Sequence, residues 1–263
     1  TNRYWRGQAA LGTVTLTQTQ VSITESGISN AKAIGFSSTL TGAYNSIGGG
    51  FNNPTLTSNA VTNANGYFAI GDKAALAGGT YTIGSTGTYT NLTAVSNELN
   101  MKAITGNVIF ELLSTYSSAG ETFPINFFEI SSSGGSYSAT IRVKAGAGSI
   151  TTSGNPGSTG SLVILNGANN LILDGRQGGT GSTRSWTLQN TRTTNTMGPV
   201  FTFMNDANGD TLKYLNIEAR NPQAASGVIV FSTTTETNGN DNNSIENCKI
   251  DGYSSSYPVN NIY

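Results

Sequence analysis

Short apolar runs alternate with polar residues along most of the chain, and turns rich in Gly, Ser, Asn and Thr separate them. In Thr140-Ile-Arg-Val143 and Leu215-Asn-Ile217, apolar side chains recur at every second position, as in a strand with one buried face. Similar runs follow one another from Gly106 to Tyr263. The pattern predicts an all-β protein built from many short strands.

One short phrase occurs three times in the second half of the chain. It reads Asn170-Leu-Ile-Leu-Asp-Gly175, then Tyr214-Leu-Asn-Ile-Glu-Ala219, then Asn247-Cys-Lys-Ile-Asp-Gly252. Such recurrence indicates a chain that winds around an axis, because each coil then buries its apolar residues on the coil below. We therefore expect residues 80–263 to form a right-handed parallel β-helix, or solenoid, in which the three phrases stack in register.

A helix is expected just before the first coil. Residues 91–102 place Leu92, Val95 and Leu99 on one face, and either Thr90 or Asn91 is suited to cap the N-terminus. A helix in this position would cover the apolar end and the open strand edges of the first coil.

The first 75 residues are organised differently. Thr13-Val-Thr-Leu-Thr17 and Val21-Ser-Ile-Thr24 alternate apolar residues with Thr or Ser, which favours antiparallel sheets with one solvated face. We expect residues 1–75 to form a small β-sandwich-like domain that begins upstream of Thr1.

Charged residues are scarce, and the formal net charge is -1. They make up 10% of the chain, against roughly 25% in typical soluble domains. We expect no nucleic-acid partner, because the chain has no field that would attract a polyanion. We also expect no membrane span, because no apolar run approaches roughly 20 residues.

The absence of histidine and the single cysteine narrow the possible chemistry. Without histidine, the chain has no imidazole to act as a general base or metal ligand. Cys248 cannot form an internal disulfide, and it occupies the position of Leu215 in the repeated phrase, so we expect it in the core. No serine has a histidine partner, and no catalytic residue is predicted.

The repeated phrases place Asp174, Glu218 and Asp251 in one outward column, with neighbours roughly 4.8 Å apart. Arg176 and Arg220 follow two positions later. We expect a neutralised surface ladder in which acids and arginines pair at little net energy. The alternatives are a cation site and a carboxylate cluster that acts on an acidic polysaccharide.

The segment Asp206-Ala-Asn-Gly-Asp210 is similar to half of a calcium-binding loop. Asp206, Asn208 and Asp210 would supply oxygen ligands, but Thr211 stands where a helix-flanked loop needs Gly, and no bidentate Glu follows. A turn between coils explains the same residues without a metal. Calcium is therefore an alternative interpretation, and no other cofactor is expected.

Aromatic residues in or near polar turns offer a second alternative, a platform for glycans. Core packing or turn anchoring accounts for most rings at such positions. The candidates are Tyr4, Trp5, Tyr116, Tyr137, Trp186, Tyr253 and Tyr257.

Four stretches are similar in sequence to a known group of proteins: Asn170–Gly175, Gly178–Arg184, Val228–Thr234 and Asn238–Ile245. Together they resemble the right-handed parallel β-helix modules of very large secreted surface proteins of Bacteroidetes. Gly66-Tyr-Phe-Ala-Ile-Gly71 is similar to the end of the sandwich domain that often precedes such modules. The resemblance implies an adhesin-like protein that the type IX system exports. Separately, the run Val259–Tyr263 ends the last coil without a cap, from which we expect a solenoid that continues beyond residue 263.

These observations favour a non-enzymatic structural or adhesive module of a long secreted or cell-surface protein, acting in adhesion, in a coat or in a filament. The alternative is a β-helix module that binds or cleaves polysaccharides. The expected partners are other subunits or further domains at the open solenoid end, where Val259–Tyr263 leaves the last coil uncapped, and glycans in the alternative. We expect the isolated chain to self-associate or to fray in its last coil.

Overall fold

The computed structural model describes residues 4–7, 19–157, 160–192, 198–232, 239–253 and 257–263. These residues form an all-β protein, in which antiparallel sheets at the N-terminus precede a parallel β-solenoid of about 5 turns. The predicted fold class is confirmed. The predicted strand Thr13–Thr17 lies outside the described residues.

Two antiparallel sheets, which we call the N-terminal sandwich, come first. Their strand orders are β1-β7-β3-β4 and β2-β6-β5, and apolar side chains of both sheets, such as Ile34 and Leu56, share one small core. The strands are β1 (Trp5–Gly7), β2 (Ser22–Thr24), β3 (Lys32–Ser37), β4 (Asn45–Ser46), β5 (Gly50–Asn52), β6 (Thr55–Thr57) and β7 (Gly66–Asp72).

Parallel pairing begins directly after the sandwich, with β8 (Ala74–Leu76) beside β10 (Lys102–Ile104). Between these two strands lie β9 (Gly79–Ile83) and the helix α1 (Leu92–Met101), and a 3-10 helix at Ser118–Gly120 follows later. The remaining strands are β11 (Val108–Leu112), β12 (Ile125–Phe127), β13 (Ala139–Val143), β14 (Ile150–Gly154), β15 (Val163–Asn166), β16 (Leu171–Gln177), β17 (Trp186–Asn190), β18 (Phe201–Met204), β19 (Thr211–Lys213), β20 (Leu215–Ala219), β21 (Ile229–Phe231), β22 (Ser244–Glu246) and β23 (Lys249–Asp251).

The coils stack into three parallel sheets, which we call faces 1, 2 and 3. Face 1 has the order β9-β11-β13-β16-β19-β22, face 2 has β14-β17-β20-β23, and face 3 has β12-β15-β18-β21. Successive strands of one coil, such as β16, β17 and β18, belong to faces 1, 2 and 3 in turn. Each coil is therefore a triangle of strands laid on the previous one.

Alternate residues of each face form one continuous core. On face 3, Leu165, Phe203 and Phe231 are in register, and the rings of Phe203 and Phe231 stack with their centroids 4.5 Å apart. On face 2, the fully buried Trp186 and Leu215 are in register. Because these side chains leave water, the stacked columns supply the main driving force for folding.

The helix α1 begins and ends as its sequence predicts and covers the start of face 3. Its N-cap is Asn91, whose side chain accepts a hydrogen bond from the backbone N–H of Ala94. Leu92, Val95 and Leu99 join the solenoid core. The Ser96 hydroxyl donates to the carbonyl oxygen of Asn126 in β12, 2.6 Å away. The helix lies inside the first coil, after β9, and not before it.

The three repeated phrases do not stack in one column, so that prediction is wrong. Leu171 begins a face 1 strand and is in register with Ala139, whereas Leu215 begins a face 2 strand. The residues before the phrases, Asn170, Tyr214 and Asn247, all have left-handed backbones with φ of 53°, 52° and 54°. Their likeness reflects a shared corner geometry that is used at two different corners of the triangle.

The described residues contain one α-helix, α1, and its ten residues are too few to cross a lipid bilayer.

Candidate functional site

The charged residues of face 1 form a column of alternating sign. The residues in register, from one coil to the next, are Glu111, Arg142, Asp174, Lys213 and Glu246. The closest nitrogen–oxygen distances are 2.7 Å between Arg142 and Glu111 and 3.6 Å between Lys213 and Asp174. A ladder of paired charges therefore exists, but in a different place from the predicted one.

Asp174 is the most buried carboxylate of this column, with 3% of its surface exposed. Arg176 binds it through two side-chain nitrogens, at 3.0 and 2.7 Å, and stacks over the ring of Tyr214 at 4.5 Å. Burial alone would raise the pKa of Asp174, but the hydrogen bonds and charge of Arg176, together with the charge of Lys213, hold that pKa below its ordinary value. Asp174 is thus a fixed anion within a structural ion pair.

The other two acids of the predicted ladder lie on face 2. Glu218 is in register with Asp251, and its Oε2 accepts a hydrogen bond of 2.9 Å from Gln189. Asp251 pairs with Lys249 at 2.9 Å. The structure brings Glu218 and Asp251 together and separates both from Asp174, because the phrases that suggested one column belong to two faces. Arg220 follows β20 directly.

The predicted calcium ligands are distributed over two environments. Asp206 and Asn208 line a cleft, and the Asp206 carboxylate accepts a hydrogen bond of 2.8 Å from the backbone N–H of Gly239. Asp210 is fully buried. No group of three or more acid, Cys or His side chains suited to a metal occurs among the described residues. Calcium binding at Asp206, Asn208 and Asp210 stays the untested alternative interpretation.

Asp210 is a buried carboxylate with only one of its oxygens hydrogen-bonded. Its Oδ1 accepts from the backbone N–H of Leu171 at 2.9 Å, and its Oδ2 has no partner among the described residues. Burial raises the pKa of Asp210 to about 7. One coil later Asn243 takes the same position, and its Nδ2 donates to the carbonyl oxygen of Ala207 at 2.8 Å. An amide fits this corner better than a carboxylate.

The predicted aromatic platform is not one surface. Trp186 is fully buried, and its ring N–H donates to the Thr152 hydroxyl at 3.0 Å. Tyr116 is also buried and contacts the same hydroxyl at 3.0 Å. Tyr4 is 45% exposed and Tyr257 is 80% exposed, but they lie in the N-terminal sandwich and the last described segment.

Polar contacts join the N-terminal sandwich to the solenoid. The amide of Asn59 donates to the carbonyl oxygen of Asn97 at 3.2 Å and accepts from the amide of Asn100 at 3.1 Å. The backbone N–H of Gly49 donates to the carbonyl oxygen of Asn100 at 3.0 Å. Lys73 donates to the Ser131 hydroxyl at 3.0 Å. These bonds fix the sandwich against the first two coils.

A cleft of about 710 Å3 opens between the two units, and we call it the junction cleft. The sandwich contributes Ile28, Ser29, Asn30, Phe51, Asn52 and Asn53. The solenoid contributes Glu129, Gly167, Asn169, Asn170, Asn205, Asp206 and Asn208.

The lining of the junction cleft contains two acids, Glu129 and Asp206, and no base. Burial raises the pKa of Glu129, against the opposing effects of a hydrogen bond from Asn30 and the charge of Lys73. That bond, from the Asn30 amide to Glu129, is 2.7 Å long. Burial also lowers the pKa of Lys73 to about 8. None of the lining residues is basic, so a neutral polar ligand suits this surface better than an anion.

Sequence reasoning missed both the face 1 column and the junction cleft. The column had a usable signal, since Glu111, Arg142 and Asp174 are each the fourth residue of their strand. The cleft had no local signal, because Asn52 and Asn208 come to line one cleft only through the packing of two units.

Comparison of the chain with protein-family models, with curated proteins and with solved structures finds no match.

Proposed function

We propose that the chain is a non-enzymatic structural and adhesive module of a long secreted or cell-surface protein. The observation that carries the proposal is the attachment of the N-terminal sandwich to a solenoid with a continuous core. Such a body can hold a binding surface at a fixed distance and orientation. The resemblance to the surface proteins of Bacteroidetes exported by the type IX system supports the same location.

The use of the charged side chains also favours a structural role. Glu111, Asp174 and Asp251 are bound to basic partners, and Glu121 holds the N-terminus of α1. A catalytic acid or base needs a pKa near the working pH and access to a substrate. In these four side chains the carboxylate is committed to a partner within the fold.

A partner at the last coil belongs to the same proposal. Ile245 and Ile250 are only partly buried at this end of the core, and Val259 and Ile262 are 56% and 50% exposed. A further coil, or another subunit, would cover these side chains and the strand edges beside them.

Adhesion under flow tests the proposal. Non-adherent cells that display residues 1–263 are passed over glass coated with neutral polysaccharides, acidic polysaccharides or extracellular-matrix proteins. We expect retention above that of cells without the module on at least one coating. Equal retention on every coating would contradict the adhesive role.

A polysaccharide-cleaving activity is the second candidate, because the structure places Glu218 beside Asp251. Incubation with neutral and uronic-acid polysaccharides, followed by assays for reducing ends and unsaturated products, separates the two functions. We expect no turnover. Robust turnover that Asp251→Asn abolishes would replace the adhesive proposal with an enzymatic one.

A further inference from the structure

We propose that the junction cleft binds a neutral oligosaccharide through asparagine side chains contributed by both of its walls. This inference rests on the adhesive function proposed above, because it names the class of molecule that the module would hold.

Several of the cleft asparagines have a structural explanation. Asn169 accepts a hydrogen bond of 2.6 Å from the backbone N–H of Ile130, and the Asn205 amide donates to Asn166 at 2.6 Å. Asn170 and Asn205 also have positive φ angles of 53° and 56°, which Asn tolerates better than most residues. These residues build the corner of the coil.

Asn52 and Asn208 have neither explanation. Their φ angles are not positive, and their side chains make no hydrogen bond within the part of the chain that the structure describes. Asn208 is exposed and Asn52 is half-buried. They line the junction cleft from opposite units, so their amide groups are available to one ligand between them.

The chemistry of an amide matches that of a sugar hydroxyl. Each asparagine offers two N–H donors and one carbonyl acceptor, and each hydroxyl both donates and accepts. Phe51 and Ile28 add apolar surface to the same cleft. A ligand that is polar, uncharged and partly apolar on its ring faces fits this combination.

The electrostatics argue against an anion and for a neutral ligand. The two carboxyl groups of the lining, Glu129 and Asp206, already accept hydrogen bonds from Asn30 and from the backbone of Gly239. No basic side chain lines the cleft to receive an acidic sugar or a phosphate. A volume of about 710 Å3 lies within the range of 300–1,000 Å3 that is typical of small-molecule sites, which leaves room for a short oligosaccharide.

The test is calorimetric titration of residues 1–263 with a panel of neutral oligosaccharides of gluco-, xylo-, manno- and galacto- type. An oligogalacturonate and calcium chloride serve as the charged comparisons. Asn52→Ala and Asn208→Ala remove one amide from each wall without creating charge. Asn45→Ala is the matched control, because Asn45 is exposed on β4 and does not line the cleft. Thermal unfolding of each variant establishes that it is folded.

We expect at least one neutral oligosaccharide to bind, and each cleft variant to lose about tenfold or more in affinity, while Asn45→Ala binds as the wild type does. Failure of every neutral oligosaccharide, binding of the uronate or of calcium only, or equal affinity of cleft variants and wild type would overturn the proposal.

The adhesion assay separates this inference from the function on which it rests. If cells that display the double variant Asn52→Ala/Asn208→Ala are retained as strongly as cells that display the wild type, the cleft is not the binding site. The adhesive function would still stand. Wild-type protein that is not retained on any coating would remove the function itself.

Discussion

At the scale of single residues, the corners of the coils decide which polar side chains this fold accepts. Asp210 and Asn243 occupy equivalent positions one coil apart. Only the side chain of Asn243 both accepts and donates a hydrogen bond. From the sequence, Asp210 is a calcium ligand only in the alternative interpretation, because acids and amides in short turns resemble metal loops. Its complete burial depends on the corner geometry, which local spacing does not reveal.

Asp210→Asn is expected to raise the free energy of unfolding at pH 8 by about 1–3 kcal/mol, the usual cost of an unsatisfied buried polar group. The new amide would keep the bond to the Leu171 N–H and add a donor, as Asn243 does. Chemical denaturation of the variant and wild type measures the difference. Asp241→Asn is the control, because Asp241 is exposed, and it should change little.

The pH dependence of stability provides a second measurement on the same residue. Burial raises the pKa of Asp210 from 3.8 to about 7. The stability that this group contributes is therefore complete below its unfolded pKa and is lost as the pH rises through the folded value. Wild-type protein should lose stability relative to Asp210→Asn between about pH 4 and about pH 7. An identical pH profile for both proteins would contradict the assignment.

At the scale of elements, the sequence predicted strands and the helix well where their apolar periodicity was strong. Val108–Leu112 is a strand as predicted, and α1 has its predicted cap and apolar face. Strand β14, Ile150–Gly154, was missed because Ile150 is its only large apolar residue. The stacking of the phrases was predicted wrongly, because a corner and its following strand look alike on faces 1 and 2.

The N-terminus of α1 depends on one carboxylate from the next coil. The two oxygens of Glu121 accept the backbone N–H groups of Leu92 and Thr93 at 2.7 and 2.8 Å, and Tyr116 donates to it at 2.8 Å. Glu121→Ala should lower the free energy of unfolding by about 1–2 kcal/mol, and Glu121→Gln by less, because an amide oxygen still accepts. Denaturant titrations check this order, with the exposed neighbour variant Thr122→Ala unchanged.

The core of face 2 should reject a charge. Leu215→Asp would bury an unpaired carboxylate against Trp186, at a cost of several kcal/mol, whereas Asn216→Asp places the same charge outward beside Lys249. Thermal unfolding by circular dichroism should show a large loss for Leu215→Asp and little change for Asn216→Asp. A wild-type melting temperature for Leu215→Asp would show that the inward column is misassigned.

At the scale of the whole molecule, the junction makes the sandwich and the solenoid one body. The strand β5 approaches the solenoid so closely that a side chain at Gly50 would overlap the ring of Phe128, which is 5% exposed. No pattern in the sequence marks Gly50, because its partner Phe128 lies in the solenoid, far along the chain. The close approach is a property of the assembled units.

Gly50→Ala is expected to loosen the junction, because overpacking of this kind typically costs about 1–3 kcal/mol. Gly71→Ala is the matched control, since nothing lies within 4 Å of a Cβ added at Gly71. Limited proteolysis should release the sandwich faster from Gly50→Ala than from the wild type or Gly71→Ala. Equal cleavage of all three would mean that Phe128 shifts without disturbing the docking.

Because the charges of face 1 alternate in sign, adding an odd number of coils and adding an even number have different consequences. Glu111, Arg142, Asp174, Lys213 and Glu246 follow one another with opposite signs. Duplication of a single coil would set two like charges side by side, roughly 4.8 Å apart, whereas duplication of two adjacent coils would preserve the alternation. Tandem duplication of an even number of coils is therefore favoured over duplication of an odd number. A chain lengthened by one coil should have a lower melting temperature than a chain lengthened by two.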